Sequence, residues 1–498
     1  MTQTASVTDT LTSVDPATGA VVGEWPVDDA EAVRAAVAAA RAAARAWVGL
    51  GFDGRKKALL RWKAHLVNHA DELCELVRRE NGKPLDDAYL ELALTVEHID
   101  WAAKNARKAL APRKVRPGPL TANFAGVVEQ RPLGVVGVIG PWNYPLYTPN
   151  GSIAYALAAG NAVVYKPSEY TTAIGHYFAA AFAKANPELP DGIIAVVTGR
   201  GETGAALVRS GVDKIAFTGS TPTGKRIMAA AAESLTPVVL ECGGKDAVIV
   251  AEDADVAAAA DAVAFGAMGN SGQTCVGIER AYVVKDVLDD FLAQLKSRLA
   301  GVRAGSDAEA SYGPMTMPSQ VDVVAAHVKD AMARGGQAVV GGLDSIRAPY
   351  IDPVVLLDVP EDAPAVVEET FGPTLTVRAV DSAAEAVELA NASKYGLGSA
   401  VFSKSHGMEL ARAMRAGATS VNSFIGFAAQ PGMPFGGVGE SGVGRIHGAA
   451  GLLEFSRPHS IARQRFSIPG LALLTFDRKP SAMALTRKIT ELRHGRHK

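Results

Sequence analysis

The segment "GVVGVIG" at residues 134–140 is the first of several short apolar runs that decide the fold of this chain. The runs that follow it are "NAVVYK" (161–166), "GIIAVVTG" (192–199), "KIAFTGS" (214–220), "PVVLECGG" (237–244) and "DAVIVA" (246–251). Helical stretches such as 173–186 and 201–210 separate several of the runs. Because alternating strands and helices form mainly parallel, doubly wound sheets, the sequence predicts an α/β fold whose ligands bind beyond the carboxyl ends of the strands.

Upstream of these runs, residues 29–113 predict helices. The stretch "AEAVRAAVAAARAAARAW" places apolar residues at helical spacing, and amphipathic stretches continue around 56–80 and 86–110. Proline and glycine then interrupt the pattern, and "AGVVEQRP" (125–132) predicts one arm of a hairpin. A hairpin between two helix-rich regions can project from the body and reach a partner subunit.

Downstream, the α/β pattern restarts after residue 251. Helices are predicted near 255–268 and 287–302, and "GSAVFS" at 398–403 predicts a strand. We expect a second α/β domain that ends near residue 445, after the glycine-rich segment "PFGGVGESGVG".

Composition narrows the class of protein. The chain has 498 residues, 48% hydrophobic and 20% charged, with a formal net charge of −2, so no global basic field favours nucleic acid. Its three cysteines, Cys74, Cys242 and Cys275, are an odd number without zinc-type spacing. We therefore expect free thiols, no bound metal and a reducing, cytoplasmic setting.

The N-terminus is polar, and the chain has no run of about 18 apolar residues. We therefore expect neither a secretory signal nor a membrane span.

The stretch "GNSGQTCVG" (269–277) surrounds Cys275 with glycines and small polar residues. A nucleophilic thiolate needs such space for the atom it attacks, and it needs help to lose a proton that free cysteine holds up to a pH of about 8.5. The competing interpretation is an inert, buried cysteine.

Glu241, at the end of an apolar run, is a candidate general base because partial burial raises a carboxyl pKa. Cys242 points to the opposite face of the same strand and is interpreted as structural.

Three further segments suggest a binding site for a nucleotide and a site that stabilises an oxyanion. Asn143 in "IGPWNYP" (139–145) carries an amide that can stabilise an oxyanion, although many such asparagines only cap turns. Lys166 and Glu169 in "YKPSE" would lie at the end of a strand, where an acidic residue on a ribose favours NAD over NADP. The segment "FTGSTPTGK" (217–225) is neither a Walker A loop nor GxGxxG, and predicts either a phosphate site or a capped turn.

These motifs together resemble the NAD(P)-dependent aldehyde dehydrogenase superfamily. "PWNYP", "YKPSE", "FTGSTPTG", "LECGGK", "GNSGQTC" and "EETFGP" occur in that family's order and spacing, and the resemblance extends from about residue 11 to 457. It implies that Cys275 is the nucleophile, that Glu241 activates the hydrolytic water, and that Asn143 with the Cys275 backbone N–H forms the oxyanion hole. The implied product is a free acid, since members that pass the acyl group to coenzyme A generally lack that glutamate.

The resemblance also implies the cofactor site and the domain boundaries. The cofactor is expected to be NAD, with NADP left open, and the residues expected to hold it are Ile139, Gly140, Pro141, Trp142, Lys166, Ser168, Glu169, Gly219, Ser220, Gly224, Glu369 and Phe371. The expected division is an NAD-binding domain (1–113 and 132–243), a catalytic domain (244–445), an oligomerisation element (114–131 and 446–465) and a basic tail (466–498). Both large domains are expected to be Rossmann-like, and the chain is expected to form a homodimer or homotetramer.

The substrate is less defined by the sequence. Tyr147, Phe424 and Phe427 are candidates for an apolar, partly aromatic tunnel, with core packing as the alternative interpretation of the same residues. No arginine stands in these stretches to bind a second carboxylate, which weighs against succinic semialdehyde. The ending "PFGGVGESGVGRIHG" resembles the branch that oxidises aromatic and medium-chain aldehydes. The alternatives are a semialdehyde dehydrogenase, a cysteine hydrolase or acyltransferase that would need a histidine base, and a non-catalytic scaffold.

The C-terminal tail is basic. From about residue 460 it carries nine lysines and arginines against Asp477 and Glu491, and Leu485, Ile489 and Leu492 fall on one helical face. The tail is expected either to be a solvated or subunit-bound arm or to lie on an anionic membrane surface.

Overall fold

A computed structural model describes residues 9–467, 469 and 472–495. Its strands are β1 (Thr10–Val14), β2 (Val21–Pro26), β3 (Arg113–Val115), β4 (Phe124–Pro132), β5 (Val135–Ile139), β6 (Ala162–Lys166), β7 (Ile194–Val196), β8 (Lys214–Thr218), β9 (Val238–Glu241), β10 (Asp246–Val250), β11 (Ile278–Val284), β12 (Gln337–Val340), β13 (Ile346–Arg347), β14 (Tyr350–Ile351), β15 (Val354–Leu357), β16 (Thr374–Val380), β17 (Ser399–Phe402), β18 (Ser420–Val421), β19 (Gly442–Val443) and β20 (Ser456–Gln464). Its α-helices are α1 (Ala30–Gly49), α2 (Gly51–Asn68), α3 (Ala70–Asn81), α4 (Leu85–Ala109), α5 (Tyr147–Ala159), α6 (Thr172–Ala185), α7 (Gly201–Val208), α8 (Thr221–Ala232), α9 (Val256–Met268), α10 (Lys285–Leu299), α11 (Pro318–Ala333), α12 (Pro364–Val367), α13 (Ala383–Asn391), α14 (Gly407–Ala413), α15 (Gly448–Glu454) and α16 (Pro480–His494).

The first large sheet has six strands in the order β19-β9-β8-β5-β6-β7. Five of them are parallel, and the short β19 pairs antiparallel with β9. Parallel strands bury both faces, and the β5, β6 and β8 segments are almost wholly buried and apolar. Their carboxyl ends meet at one edge, because Ile139 pairs with Lys166 and Thr218 pairs with Glu241. This edge brings four of the predicted motifs together.

The second large sheet has seven strands in the order β12-β15-β16-β11-β10-β17-β18. All of its pairs are parallel except the one that joins β12 to β15 at the edge. The run "DAVIVA" is β10 and belongs to this second sheet, while β19 returns the chain to the first sheet. The fold is therefore a mixed α/β fold with two mainly parallel sheets, as the sequence predicted.

Two details near the N-terminus differ from the sequence prediction. Strands β1 and β2 form an antiparallel hairpin that the sequence analysis did not predict. The helical stretch 56–80 is two helices, α2 and α3, because the backbone of His69 leaves the helical region with φ −120° and ψ 28°. Helix α1 begins as its sequence predicts, since the Asp29 carboxylate caps the N–H groups of Glu31 and Ala32.

A third sheet lies at the predicted hairpin. Strand β4 pairs antiparallel with β3 on one side and with β20 on the other, and the long register of β4 with β20 runs from Phe124–Gln464 to Pro132–Ser456. The predicted arm therefore joins a strand from near the C-terminus. No helix in the described part of the chain is long and apolar enough to cross a membrane.

Candidate active site

Two cavities meet at Cys275 and Glu241. The larger is a cleft of about 1040 Å³ beyond the carboxyl ends of the first sheet, and the smaller is a tunnel of about 140 Å³ on the other side of the same two residues. Four residues line both cavities, namely Thr218, Glu241, Cys242 and Cys275. A reacting group on Cys275 is therefore accessible from both sides.

The segment that carries Cys275 is held in an unusual backbone conformation. Asn270, Ser271 and Gly272 follow α9 with φ values of 53°, 59° and 69°. Gly272 has no substitute here, because a Cβ would come within 2.0 Å of the Gly372 carbonyl oxygen in a left-handed conformation. The Ser271 hydroxyl donates to the Gly313 carbonyl at 2.6 Å, which anchors the turn. The small residues that the sequence places before the cysteine serve this close approach.

The Cys275 thiol is partly exposed to the cavities, yet its pKa is raised. Burial is the main cause, followed by the nearby negative charge of Glu241, and a backbone hydrogen bond from Val276 acts in the opposite direction. The resting thiol is therefore neutral, and attack on a substrate requires that a base remove its proton.

Glu241 ends β9 as a buried carboxyl group. Neither of its oxygens has a hydrogen-bond partner in the described part of the chain, and burial raises its pKa well above the ordinary range, against the opposing charge of Arg445. Residue 436, beside this carboxyl group, is a glycine, and an added Cβ would lie 2.7 Å from Glu241 Oε1. Such a carboxyl group is available to accept a proton from water or from a thiol.

Asn143 lies in the wall of the cleft beside Cys275. Its Nδ2 donates to the Gln273 carbonyl at 3.0 Å, and since an amide has two N–H groups, one remains for another acceptor. The Asn143 backbone carbonyl accepts from Asn270 Nδ2 at 3.0 Å and from Lys83 Nζ at 3.1 Å. The side-chain amide is thus held by Gln273, and the backbone that carries it is held by Asn270 and Lys83.

A buried ion pair supports the Asn143 loop and was not identified from the sequence. Lys83 pairs with Glu91 at 2.5 Å, and both side chains are almost fully buried. The second oxygen of Glu91 accepts from the backbone N–H groups of Leu146 and Tyr147 at 2.8 and 3.0 Å. No local pattern marks these residues, because Lys83 lies in the loop between α3 and α4, Glu91 lies in α4, and the loop they hold follows 60 and 55 residues later.

The cleft contains all but one of the residues that the sequence assigned to the cofactor. Lys166 Nζ and Glu169 Oε2 lie 3.8 Å apart at the end of β6. The N-terminus of α8 at Ser220 opens into the same space. The others in the wall are Ile139, Gly140, Pro141, Trp142, Ser168, Gly219, Glu369 and Phe371. Gly224 is the exception: it lies inside α8, where a Cβ would come within 2.7 Å of Cys242 Sγ, so its role is close packing.

The rim opposite the first sheet is formed by the loop that carries Glu369 and Phe371. Glu369 accepts from the Gly244 N–H at 3.0 Å, and burial together with the charge of Glu279 raises its pKa to about 8. Glu279 also accepts from the N–H of Phe371 at 3.0 Å, and the Phe371 ring stands edge-on to Trp142 at 5.5 Å. The N-terminus of a helix suits the phosphates of a dinucleotide, and a lysine near a carboxylate suits its ribose. The two aromatic rings, which meet edge to face, suit its nicotinamide ring.

The tunnel is apolar and partly aromatic. Tyr147 and Phe424, both predicted, lie in its wall. Phe427 does not, because its side chain is buried in the core and packs against Phe435 with ring centres 6.2 Å apart. The sequence analysis missed several other wall residues, namely Leu90, Leu94, Tyr144, Phe265, Phe435 and His447. Of these, Leu90 and Leu94 share a face of α4 at spacing i, i+4, which was the available signal.

Histidines do not complete a hydrolase-type pair. Within the described residues no histidine is hydrogen-bonded to Cys275; His176 contacts Thr198 and His327 contacts Thr370. Cys242 packs against Gly224, and burial raises its pKa to about 12, in keeping with a structural thiol. The described residues also hold no cluster of three or more histidine, cysteine or acidic side chains suited to a metal ion.

Known proteins match the chain along most of its length. The model of the aldehyde dehydrogenase family matches residues 2–461. The chain is 38% identical to the 4,4'-diapolycopene aldehyde oxidase of Methylomonas sp., over 92% of this chain and 87% of that protein, and 35% identical to a putative succinate-semialdehyde dehydrogenase [NADP(+)] of Mycolicibacterium smegmatis, over 90% and 87%.

A solved structure shows the same fold. The NAD-dependent aldehyde dehydrogenase of Sinorhizobium meliloti superposes with a TM-score of 0.89 at 32% identity, covering 95% of this chain and 94% of that one. With the family match and the two cavities that meet at Cys275, this likeness leads to one conclusion: the chain is an enzyme that belongs to the aldehyde dehydrogenase family.

Proposed function

We propose that the protein oxidises an uncharged, apolar aldehyde to the free carboxylic acid, with NAD as the hydride acceptor and Cys275 as the nucleophile. The observation that carries this proposal is the shared position of Cys275 and Glu241 between a cleft suited to a dinucleotide and an apolar tunnel. An aldehyde entering by the tunnel meets the thiol on the side opposite the cleft.

In the first half-reaction the Cys275 sulfur bonds to the aldehyde carbon after the thiol has lost its proton. The thiol proton passes to solvent with help from Glu241, which shares both cavities with the thiol and is a carboxylate again before the second half-reaction. The carbonyl oxygen becomes an oxyanion, which the free N–H of Asn143 Nδ2 and the backbone N–H of Cys275 stabilise by a contribution of about 3 kcal/mol per preorganised donor. The bound nicotinamide supplies the acceptor for the hydride that leaves the same carbon.

In the second half-reaction water cleaves the resulting Cys275 thioester. Glu241 removes one proton from that water, the water oxygen bonds to the acyl carbon, and the C–S bond breaks to return the sulfur and release the acid. The carboxyl group has no hydrogen-bond partner among the described residues, so it is free to take this proton. Release of a free acid rather than an acyl-coenzyme A follows from the presence of this base.

The tunnel favours a substrate without a second charge. Among the described residues of the tunnel wall, the one lysine is Lys83, and it is already paired with Glu91. Asp87 adds negative charge nearby. A carboxylate such as that of succinic semialdehyde would find no free cation among the described wall residues. The Methylomonas relative is named for 4,4'-diapolycopene aldehyde and the Mycolicibacterium relative for succinate semialdehyde. We favour an aromatic or medium-to-long aliphatic aldehyde.

The preference for NAD rests on Glu169. Its carboxylate stands beside Lys166 at the end of β6, where it can accept from a ribose hydroxyl and would repel a 2′-phosphate. NADP is the alternative, because Arg209 and Arg226 also line the cleft. Replacing Glu169 by Gln should raise kcat/KM for NADP relative to NAD about tenfold; an unchanged ratio would show that another residue makes the choice.

The assembly and location are also proposed. We infer a homodimer or homotetramer, with β20 and its neighbours at an interface, since β20 is a nine-residue edge strand that is mostly exposed in the single chain. We place the enzyme in the reducing cytoplasm, because all three cysteines are free and Cys275 must stay a thiol to react. Light scattering on purified protein tests the first inference.

A substrate panel tests the proposed function directly. Octanal, benzaldehyde and succinic semialdehyde are each supplied with NAD at equal concentration, and NADH formation is followed by absorbance. We expect kcat/KM to be at least tenfold higher for octanal or benzaldehyde than for succinic semialdehyde. A preference for the semialdehyde would overturn the substrate class, and NADH formation by Cys275→Ala at the wild-type rate would overturn the mechanism.

A further inference from the structure

We propose that the C-terminal segment 472–495 is a docking surface for an anionic lipid bilayer. This region lies beyond residues 2–461, which the family model matches, so the shared chemistry of the family does not account for it. The proposal concerns a surface remote in sequence from Cys275 and does not depend on which aldehyde the enzyme oxidises.

The segment exposes large apolar side chains at its start. Leu474 is 98% exposed and Phe476 is fully exposed, although aromatic and leucine side chains normally bury most of their surface. Helix α16 follows directly, and its Leu485 and Leu492 remain exposed on the face that they share with Ile489. The segment therefore exposes apolar side chains both before α16 and on one face of it.

Exposed basic side chains alternate in sequence with these apolar residues. The described segment carries Arg478, Lys479, Arg487, Lys488 and Arg493 against two acidic residues. Within the described residues none of the five forms an ion pair, although ion pairs are frequent elsewhere in the chain. Their charge is therefore available to a partner.

An anionic bilayer can bind both the exposed apolar side chains and the unpaired basic side chains. A helix with a lysine- and arginine-rich polar face and leucine or phenylalanine on the other lies in the plane of the membrane interface, with its apolar face among the lipid headgroups. Each basic residue near the surface adds attraction to anionic lipid. A nucleic acid would use the charges but not Leu474 and Phe476, and the interface core of a second copy would have to accept unpaired lysines, which such cores disfavour.

The test is co-sedimentation of the full-length protein with vesicles. Vesicles of equal parts phosphatidylcholine and phosphatidylglycerol are compared with vesicles of phosphatidylcholine alone, at low and high salt. We expect sedimentation with the anionic vesicles only, and its loss at high salt, since screening weakens surface attraction. Failure to sediment with anionic vesicles at low salt would overturn the proposal.

Two variants assign the binding to the segment. The double variant Leu474→Asp/Phe476→Asp and the triple variant Arg487→Glu/Lys488→Glu/Arg493→Glu should each lower the vesicle partition coefficient at least tenfold. All five side chains are exposed, so the thermal unfolding temperature should not change.

The matched control makes the same charge change elsewhere, at exposed lysines that form no ion pair among the described residues: Lys57→Glu/Lys296→Glu/Lys404→Glu. This variant should keep its binding to anionic vesicles. Equal loss of binding in the control would show that overall charge, not the segment, drives association. If the segment variants instead change the oligomeric mass by light scattering while vesicle binding is unaffected, the segment contacts a second copy and the proposal is wrong.

Discussion

At the scale of residues, the site depends on groups whose burial changes their proton affinity. Burial raises the pKa of both the Cys275 thiol and the Glu241 carboxyl, which disfavours the charged form of each. The cost of keeping two neighbouring acids uncharged is small, whereas ionising both together in the same buried space would be unfavourable. The two groups therefore act in sequence, one proton at a time.

A pH dependence follows from Glu241. Burial raises its pKa well above the ordinary range of a carboxyl group, so the group becomes a base only as the pH rises through that raised pKa. We expect the rate of thioester hydrolysis to rise with pH, and its half-maximal value to lie at a higher pH than an unperturbed glutamate would give. Single-turnover measurements of acid release at several pH values test this, and the slope should disappear in Glu241→Gln. A flat wild-type profile would contradict the assignment.

Lys83 is a positioning residue for the oxyanion hole. Replacement by Met removes its contacts with Glu91 and the Asn143 backbone carbonyl, so the backbone that carries the amide loses one of its supports. We expect kcat to fall on the order of tenfold to a hundredfold, with KM for NAD little changed, because small misplacements near the reacting atoms have effects of this size. The loss of a buried partner should also lower the free energy of unfolding by about 3 kcal/mol or more.

The control for that substitution is Lys285→Met, which removes an exposed ion pair with Asp381 at 2.9 Å. Surface pairs of this kind contribute about 0–1 kcal/mol, so neither kcat nor stability should change appreciably. A folded Lys83→Met protein with wild-type kcat would show that the pair does not position Asn143.

At the scale of elements, the turn between α9 and β11 is the most constrained part of the site. Gly272→Ala would place a Cβ against the Gly372 carbonyl and strain a left-handed backbone. We expect the variant to lose about 1–3 kcal/mol of stability and most of its activity. Gly301→Ala is the comparison, because nothing lies within 4 Å of an added Cβ there. Chemical denaturation and NADH formation measure the two effects, and equal stability of the variants would contradict this account.

The elements themselves were largely predictable, because strand runs and helical spacing are local properties of the sequence. The strands that carry Lys166, Thr218 and Glu241 were all anticipated, and the parallel arrangement follows from their alternation with helices. The β1–β2 hairpin depends on pairing between separate segments of the chain and was not. The same reason explains why Lys83 and Glu91 were missed, and why Gly224 and Phe427 were assigned to walls that they do not form.

At the scale of the whole molecule, nucleotide binding in the cofactor cleft does not depend on the Cys275 thiol. The cleft wall is built mainly from the first sheet and the Phe371 loop, so nucleotide binding should not need the Cys275 sulfur. Addition of NAD at about a hundred times its Kd should stabilise the fold by about 2.7 kcal/mol in both wild type and Cys275→Ala. Lys166→Met should reduce that gain, and a gain lost in Cys275→Ala would contradict the separation.

The central claim is that an acyl group is held on Cys275 until Glu241 activates water to release it. The most direct measurement is rapid mixing of Glu241→Gln with NAD and octanal, followed by mass analysis of the acid-quenched protein. We expect a burst of one NADH per active site, slow turnover afterwards, and an octanoyl adduct on the peptide containing Cys275. A linear time course without a burst, together with an unmodified Cys275 peptide, would contradict it.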